Sequence, residues 1–200
     1  MPWQSRRIKG NEMDDVLNAQ VPGDVPPPPE SAHAAGFEGA GRRRLEIWLP
    51  LAIVALDQLS KAAVRATLPL HQSVTIIPGL VDFTHVRNTG AAFGILNLAE
   101  FPFKTTVIAL VATAALVAVG MYAASLAHHQ LVARIGLALI IGGAAGNLLD
   151  RVIAGSVVDF VDFYWGTHHF WAFNIADSAI SIGVGIMILD MLGVERRAGT

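Results

Sequence analysis

The sequence contains no cysteine, which excludes disulfides, a thiolate nucleophile and any cysteine-held metal. Charge is scarce as well. Only 15% of the 200 residues are Asp, Glu, Lys or Arg, against about 25% in ordinary soluble domains. Most Lys and Arg residues fall in the first 44 positions and the last five, so the middle of the chain is strongly apolar. A formal net charge of −2 argues against electrostatic capture of nucleic acid, and no such partner is expected. There is no HExxH helix, no Cys/His ligand set and no Walker A loop, so neither a metal centre nor an ATP site is indicated. Ser178 and Ser181 lack a GxSxG context and an evident histidine base. His128-His129 and His168-His169 read as solvated or interfacial rings rather than metal ligands. The N-terminal stretch lacks the apolar segment of a secretory signal. Its Pro26-Pro27-Pro28-Pro29 run prevents a continuous helix there. Residues 1–44 are therefore expected to form a disordered cytoplasmic extension.

What remains is dominated by four long apolar segments, at about Leu45–Thr67, Phe103–Leu126, Leu131–Leu149 and Phe173–Leu192. Each approaches the roughly 20 residues that a helix needs to cross a bilayer. The expected fold is an all-α membrane protein: four transmembrane helices with a small extracytoplasmic β-element. The membrane domain would cover residues 45–193, followed by a cytoplasmic tail at 194–200. Arg42-Arg43-Arg44 precede the first span, Arg134 flanks the connection between the second and third, and Arg196 and Arg197 follow the fourth. The positive-inside rule places both termini and that connection in the cytoplasm. The two remaining connections then face outward. The first carries β-branched alternation at Val74–Ile77 and Val81–Val86 around Pro78-Gly79, a hairpin signal. The second carries Tyr164, Trp165, Phe170 and Trp171, which suit a headgroup interface.

Ionisable groups inside membrane spans are costly and usually have a task. With this topology they gather at the outer surface: Asp57 and Lys61 on one face of the first span, Asn88 in the first outer connection, Asn147, Asp150 and Arg151 ending the third span, Asp159 and Asp162 after it, and Asn174 and Asp177 opening the fourth. Asp190 alone lies toward the inner end. Part of this set reads equally well as helix-to-helix pairing: Asp57 with Lys61, and Asp150 with Arg151 or Lys61. Gly142 and Gly146, in GxxxG spacing, and Gly183 and Gly185 read as close helix contacts. Asp159 and Asp177 differ, because each sits in an apolar neighbourhood. Two carboxyls brought together there do not ionise independently, and one keeps its proton. Such a pair can activate water.

Four stretches together resemble the lipoprotein signal peptidase (signal peptidase II) family. They are Asp57-Gln58-x-x-Lys61; Asn88-Thr89-Gly90-Ala91-Ala92-Phe93; Gly142-Gly143-x-x-Gly146-Asn147-Leu148-x-Asp150-Arg151 running on to Val157-Val158-Asp159-Phe160; and Phe173-Asn174-x-Ala176-Asp177-Ser178. The resemblance covers about residues 45–193. It implies an aspartic endopeptidase of the bacterial inner membrane that cleaves diacylglyceryl-modified prolipoproteins just before the lipidated cysteine. It implies no metal or cofactor, contact with membrane lipids, and sensitivity to the cyclic peptide globomycin. By motif, Asp159 and Asp177 would be the catalytic pair. Asp57, Lys61, Asn88, Gly90, Asn147, Asp150, Arg151, Asn174 and Ala176 would bind substrate or support the site. Asp150 occupies a position that looks structural in the family. Two other classes fit an acidic membrane protein. A transporter requires polar groups through the full depth of the spans, and a scaffold requires only that the polar groups pair.

Overall fold

Helix length and apolarity fix the frame. The structure, a computed structural model, describes residues 30–90, 103–127 and 129–198, with backbone alone for 30–45 and 194–198. The chain divides into two compact units, Met1–Glu38 and Gly39–Thr200. The ionisable cluster lies wholly in the second. The helices are α1 (Glu30–Thr67), α2 (Lys104–Ser125), α3 (Leu131–Ala154) and α4 (Ile175–Ala198). Each contains a stretch long and apolar enough to cross a membrane: Glu46–Thr67, Lys104–Ser125, Leu131–Ala154 and Ile175–Gly193. Many of their large apolar side chains face outward, among them Leu59, Leu110, Ile153 and Leu189. No residue of α2 is buried. Such surfaces suit lipid, where apolar exposure carries no penalty.

Two boundaries depart from the sequence reading. The α1 backbone starts at Glu30 rather than near Leu45, so part of the expected disordered extension is helical. Residues 1–29 lie outside the described residues. Helix α3 runs on past Leu149 to Ala154 and stops at Gly155, whose φ of 70° suits glycine and whose N–H returns to the Arg151 carbonyl.

The expected hairpin is present as β1 (Ser73–Ile77) and β2 (Val81–Asn88), antiparallel. The sheet is larger than expected. The second connection, read as an aromatic loop, forms β3 (Val157–Trp165) and β4 (His168–His169), giving antiparallel order β1-β2-β3-β4. Pairing of Val86 with Asp159 and of Asn88 with Val157 brings the end of β2 beside the start of β3. Asn88 and Asp159 thereby become neighbours.

Glycines set the helix contacts. A Cβ on Gly142 would lie 2.9 Å from Ile53 Cβ on α1, and one on Gly183 would lie 2.8 Å from Ile140 Cγ1 on α3. Gly136, unremarked in the sequence, meets Gly183 from the α3 side. Among the described residues, nothing lies within 4 Å of the missing Cβ of Gly185, so it does not pack as Gly183 does. Away from the sheet, Arg134 of α3 pairs with Glu46 of α1 and donates to the Leu126 carbonyl beyond α2, at 2.7 Å. That charged clasp ties three helices at the end opposite the sheet.

Candidate active site

The four-residue spacing of Asp57 and Lys61 puts both on one face of α1, and both are fully buried. A buried ammonium is tolerable only when its charge and donors are met. Lys61 Nζ lies 2.7 Å from Asp57 Oδ2 and 2.7 Å from Asp150 Oδ2, and it donates to Asn147 Oδ1 at 2.9 Å. The partner of Asp150, open between Lys61 and Arg151 in the sequence, is thus Lys61, with Arg65 at 3.7 Å. Arg151 instead donates to the carbonyls of Asn147, at 3.1 Å, and Gly90, at 3.0 Å. The close seat of Asp57 on α3 depends on Gly146, where a Cβ would lie 2.7 Å from Asp57 Oδ2.

The start of α4 builds the other half. The first amides of a helix have no intrahelical partner. Asn174 Oδ1 accepts from the Asp177 N–H at 2.9 Å, and Asp177 Oδ2 accepts from the Asn174 N–H at 3.3 Å. This is a reciprocal capping box with aspartate at its third helical position. Asp57 Oδ1 accepts from the Ala176 N–H at 3.0 Å. Ala176 therefore contributes through its backbone and through its small, fully buried side chain.

The two aspartates singled out from the sequence come together around Asn174. Its Nδ2 donates to Asp159 Oδ1 at 2.7 Å, while its backbone N–H and Oδ1 hold Asp177. Asn88 Nδ2 donates to Asp159 Oδ2 at 3.1 Å, and Asn147 Nδ2 donates to Asp177 Oδ1 at 2.7 Å. Burial first, and then the neighbouring Asp177 carboxylate, push the Asp159 carboxyl up to about 7. Hydrogen bonds from Asn88 and Asn174 and the charge of Lys61 oppose that rise. A carboxyl that keeps its proton near neutrality, set beside a second carboxyl, is equipped for acid and base work on water.

All eleven residues expected at the site fall in this one cluster. Ala91, Ala92 and Phe93 lie outside the described residues. Asp162 stands apart on β3, with His169 Nδ1 at 2.7 Å from its Oδ2. Gln58 and Arg65 join the cluster without having been assigned a part in it. Gln58 Nε2 donates to the Gly146 carbonyl and to Asp57 Oδ2, both at 3.2 Å. The signal for Arg65 is its spacing of four residues from Lys61 on a helix. Among the described residues no group of three or more His, Cys, Asp or Glu side chains is arranged to hold a metal.

Comparisons with known proteins bear on the family and the fold. The family described as Signal peptidase (SPase) II matches residues 49–193. A lipoprotein signal peptidase of Geobacter metallireducens is 44% identical over 144 residues, covering 72% of this chain and 88% of that protein. One from Symbiobacterium thermophilum is 39% identical, covering 76% of this chain and 97% of that protein. A bacterial membrane enzyme solved by the in meso method superposes with a TM-score of 0.66 at 34% identity, over 74% of this chain and 87% of its own. Three helical spans that place Asp57, Asn147 and Asp177 side by side, and a family match running through all of them, lead to one conclusion: the chain belongs to the signal peptidase II family of membrane peptidases.

Proposed function

We propose that this protein removes the signal peptide from diacylglyceryl-modified prolipoproteins, cutting the peptide bond just before the lipidated cysteine, with Asp159 and Asp177 as the catalytic pair. The observation that carries this reading is the Asn174 bridge. One side chain and its own amide hold both carboxyls, and one of them retains a proton near neutral pH.

In this mechanism the ionised member of the pair takes a proton from water as the water oxygen attacks the scissile carbonyl carbon. The protonated member donates to the carbonyl oxygen, and a tetrahedral diol forms. Its collapse breaks the C–N bond, the cysteine amine leaves with a proton from the pair, and the signal peptide departs as a carboxylic acid. Arg151, held by the Asn147 and Gly90 carbonyls, stands beside the pair as a fixed positive charge for the developing oxyanion. Asn88 and Asn174 hold Asp159, and Asp57 and Lys61 hold the base of the site. No metal or cofactor takes part.

The arginines at 42–44, 134, 196 and 197 orient the chain with both termini in the cytoplasm. The site then lies on the outer side of the bacterial inner membrane. There the diacylglyceryl chains remain among membrane lipids while the peptide bond reaches the surface, so the bilayer supplies part of the orientation. Globomycin is expected to inhibit.

The test uses purified protein in lipid with a diacylglyceryl-modified prolipoprotein, its unlipidated counterpart, and EDTA. Mass analysis should show a single cut before the modified cysteine, dependent on the lipid and unchanged by EDTA. Equal cleavage of the unlipidated chain, or a cut elsewhere, would refute the proposed specificity.

A further inference from the structure

Three asparagine amides aim donors at the aspartates, and two of them, Asn174 and Asn147, are held in different ways. Asn174 is oriented by the backbone: its Oδ1 accepts from the Asp177 N–H at 2.9 Å, so its Nδ2 must turn to Asp159. Asn147 sits within α3, and its Oδ1 accepts from two side chains, Lys61 Nζ at 2.9 Å and Asn174 Nδ2 at 3.2 Å. An ammonium is a donor only. Turning the Asn147 amide over would set N–H groups against both Asn174 Nδ2 and the nearer Lys61 Nζ, and an oxygen lone pair against Asp177 Oδ1. We infer that Lys61 is a positioning residue for the aspartate pair, fixing the Asn147 amide so that its nitrogen, 2.7 Å away, faces Asp177.

This inference rests on the paired-aspartate reading and adds a specific route. The charge of Lys61, which opposes the rise at Asp159, is shared with two nearer carboxylates. Asp57 and Asp150 each lie 2.7 Å from its Nζ, so two carboxylates surround one ammonium. Beyond that screened charge, Lys61 transmits the direction of a hydrogen bond. The chain runs from α1 through α3 to α4, and every member but Asp177 is almost wholly buried.

The experiment is a double-mutant cycle on kcat and KM for the lipidated substrate, with Lys61→Gln, Asn147→Ala and the double variant in purified, folded enzyme. Misdirecting a catalytic hydrogen bond costs on the order of a hundredfold in turnover. The expected result is a fall of about that size in kcat for each single variant, with KM nearly unchanged. The double variant is expected to fall no further than Asn147→Ala alone, because residues acting through one contact are non-additive. Multiplied losses in the double variant, or wild-type kcat in Lys61→Gln, would overturn the inference. Asn147→Asp covers the case in which Lys61→Gln does not fold. It keeps an acceptor for Lys61 but offers Asp177 no donor, and it should lose kcat in the same way. Wild-type turnover in Asn147→Asp alongside an inactive Asp177→Asn removes the Lys61 route alone. Full activity in Asp177→Asn removes the paired-aspartate reading beneath it.

Discussion

Adding one methyl group at position 143 should disturb both the helix packing and the chemistry. A Cβ on Gly143 would meet the Ala176 carbonyl oxygen far inside normal contact and would lie 2.8 Å from Ile180 Cγ1. Ordinary contact begins at 3.4 Å, so even the milder overlap calls for a movement of 3.4 − 2.8 = 0.6 Å between α3 and α4. The Ala176 backbone cannot swing aside as a side chain does, because its N–H is held by Asp57 Oδ1 at 3.0 Å. The next residue is Asp177, so the start of α4 moves with its carboxylate. Overpacking of this kind costs about 1–3 kcal/mol. Since a misplacement of ~1 Å costs about a hundredfold in rate, 0.6 Å should cost roughly tenfold or more. The assay is turnover of lipidated substrate together with thermal unfolding in detergent. Gly185→Ala serves as the control: it lies on α4 with nothing among the described residues within 4 Å of its missing Cβ, and alanine in a helix is favoured over glycine. Gly143→Ala should unfold earlier and turn over more slowly, whereas Gly185→Ala should do neither. Wild-type melting and turnover in Gly143→Ala would refute the packing argument.

Asp159 makes stability and activity depend on pH. Its carboxyl is raised from 3.8 to about 7, so folding takes up a proton at this site between those values. The native state is then favoured at the acid end, and stability declines as pH rises toward the folded value. The melting temperature should fall between about pH 4 and 7, and Asp159→Asn should flatten the fall; a rise removed by the same substitution would show the sign to be wrong. Turnover should drop above about pH 7, as the pair loses its remaining proton. At the other end of the bundle, Arg134→Met removes the Arg134–Glu46 ion pair. The loss should be about 2 kcal/mol, between values for exposed and buried pairs. Turnover per folded molecule should be unchanged, and a selective loss of kcat would show that the clasp is coupled to the site.

Spans and site were legible in the sequence for physical reasons. Bilayer-length apolar runs leave few alternatives, and charged residues within them stand out because they are expensive there. Because successive spans alternate in direction, those residues fall at one end of the bundle. The β3 strand was not legible. Val157, Val158, Asp159 and Phe160 are all buried, so the alternation that marks a half-exposed strand is missing. The capping box at Asn174 and Asp177 was legible in principle, as an Asn followed three residues later by an acid at a helix start. The Glu46–Arg134 clasp joins residues 88 positions apart, and no local pattern announces such a pair. The choice of Lys61 over Arg151 as the partner of Asp150 likewise depends on how α1 lies against α3. The four-residue spacing of Asp57 and Lys61 fixed only their shared face.

The most direct test of the account compares cleavage of diacylglyceryl-modified prolipoprotein by wild type, Asp159→Asn and Asp177→Asn, each verified as folded. Both variants retain the size of the native side chain and one of the two acceptor oxygens that its neighbours use, but cannot exchange a proton with water. Each substitution alone should abolish cleavage while substrate still binds. Full activity in either one would contradict this, dissolving the pair and returning Asp150 to contention.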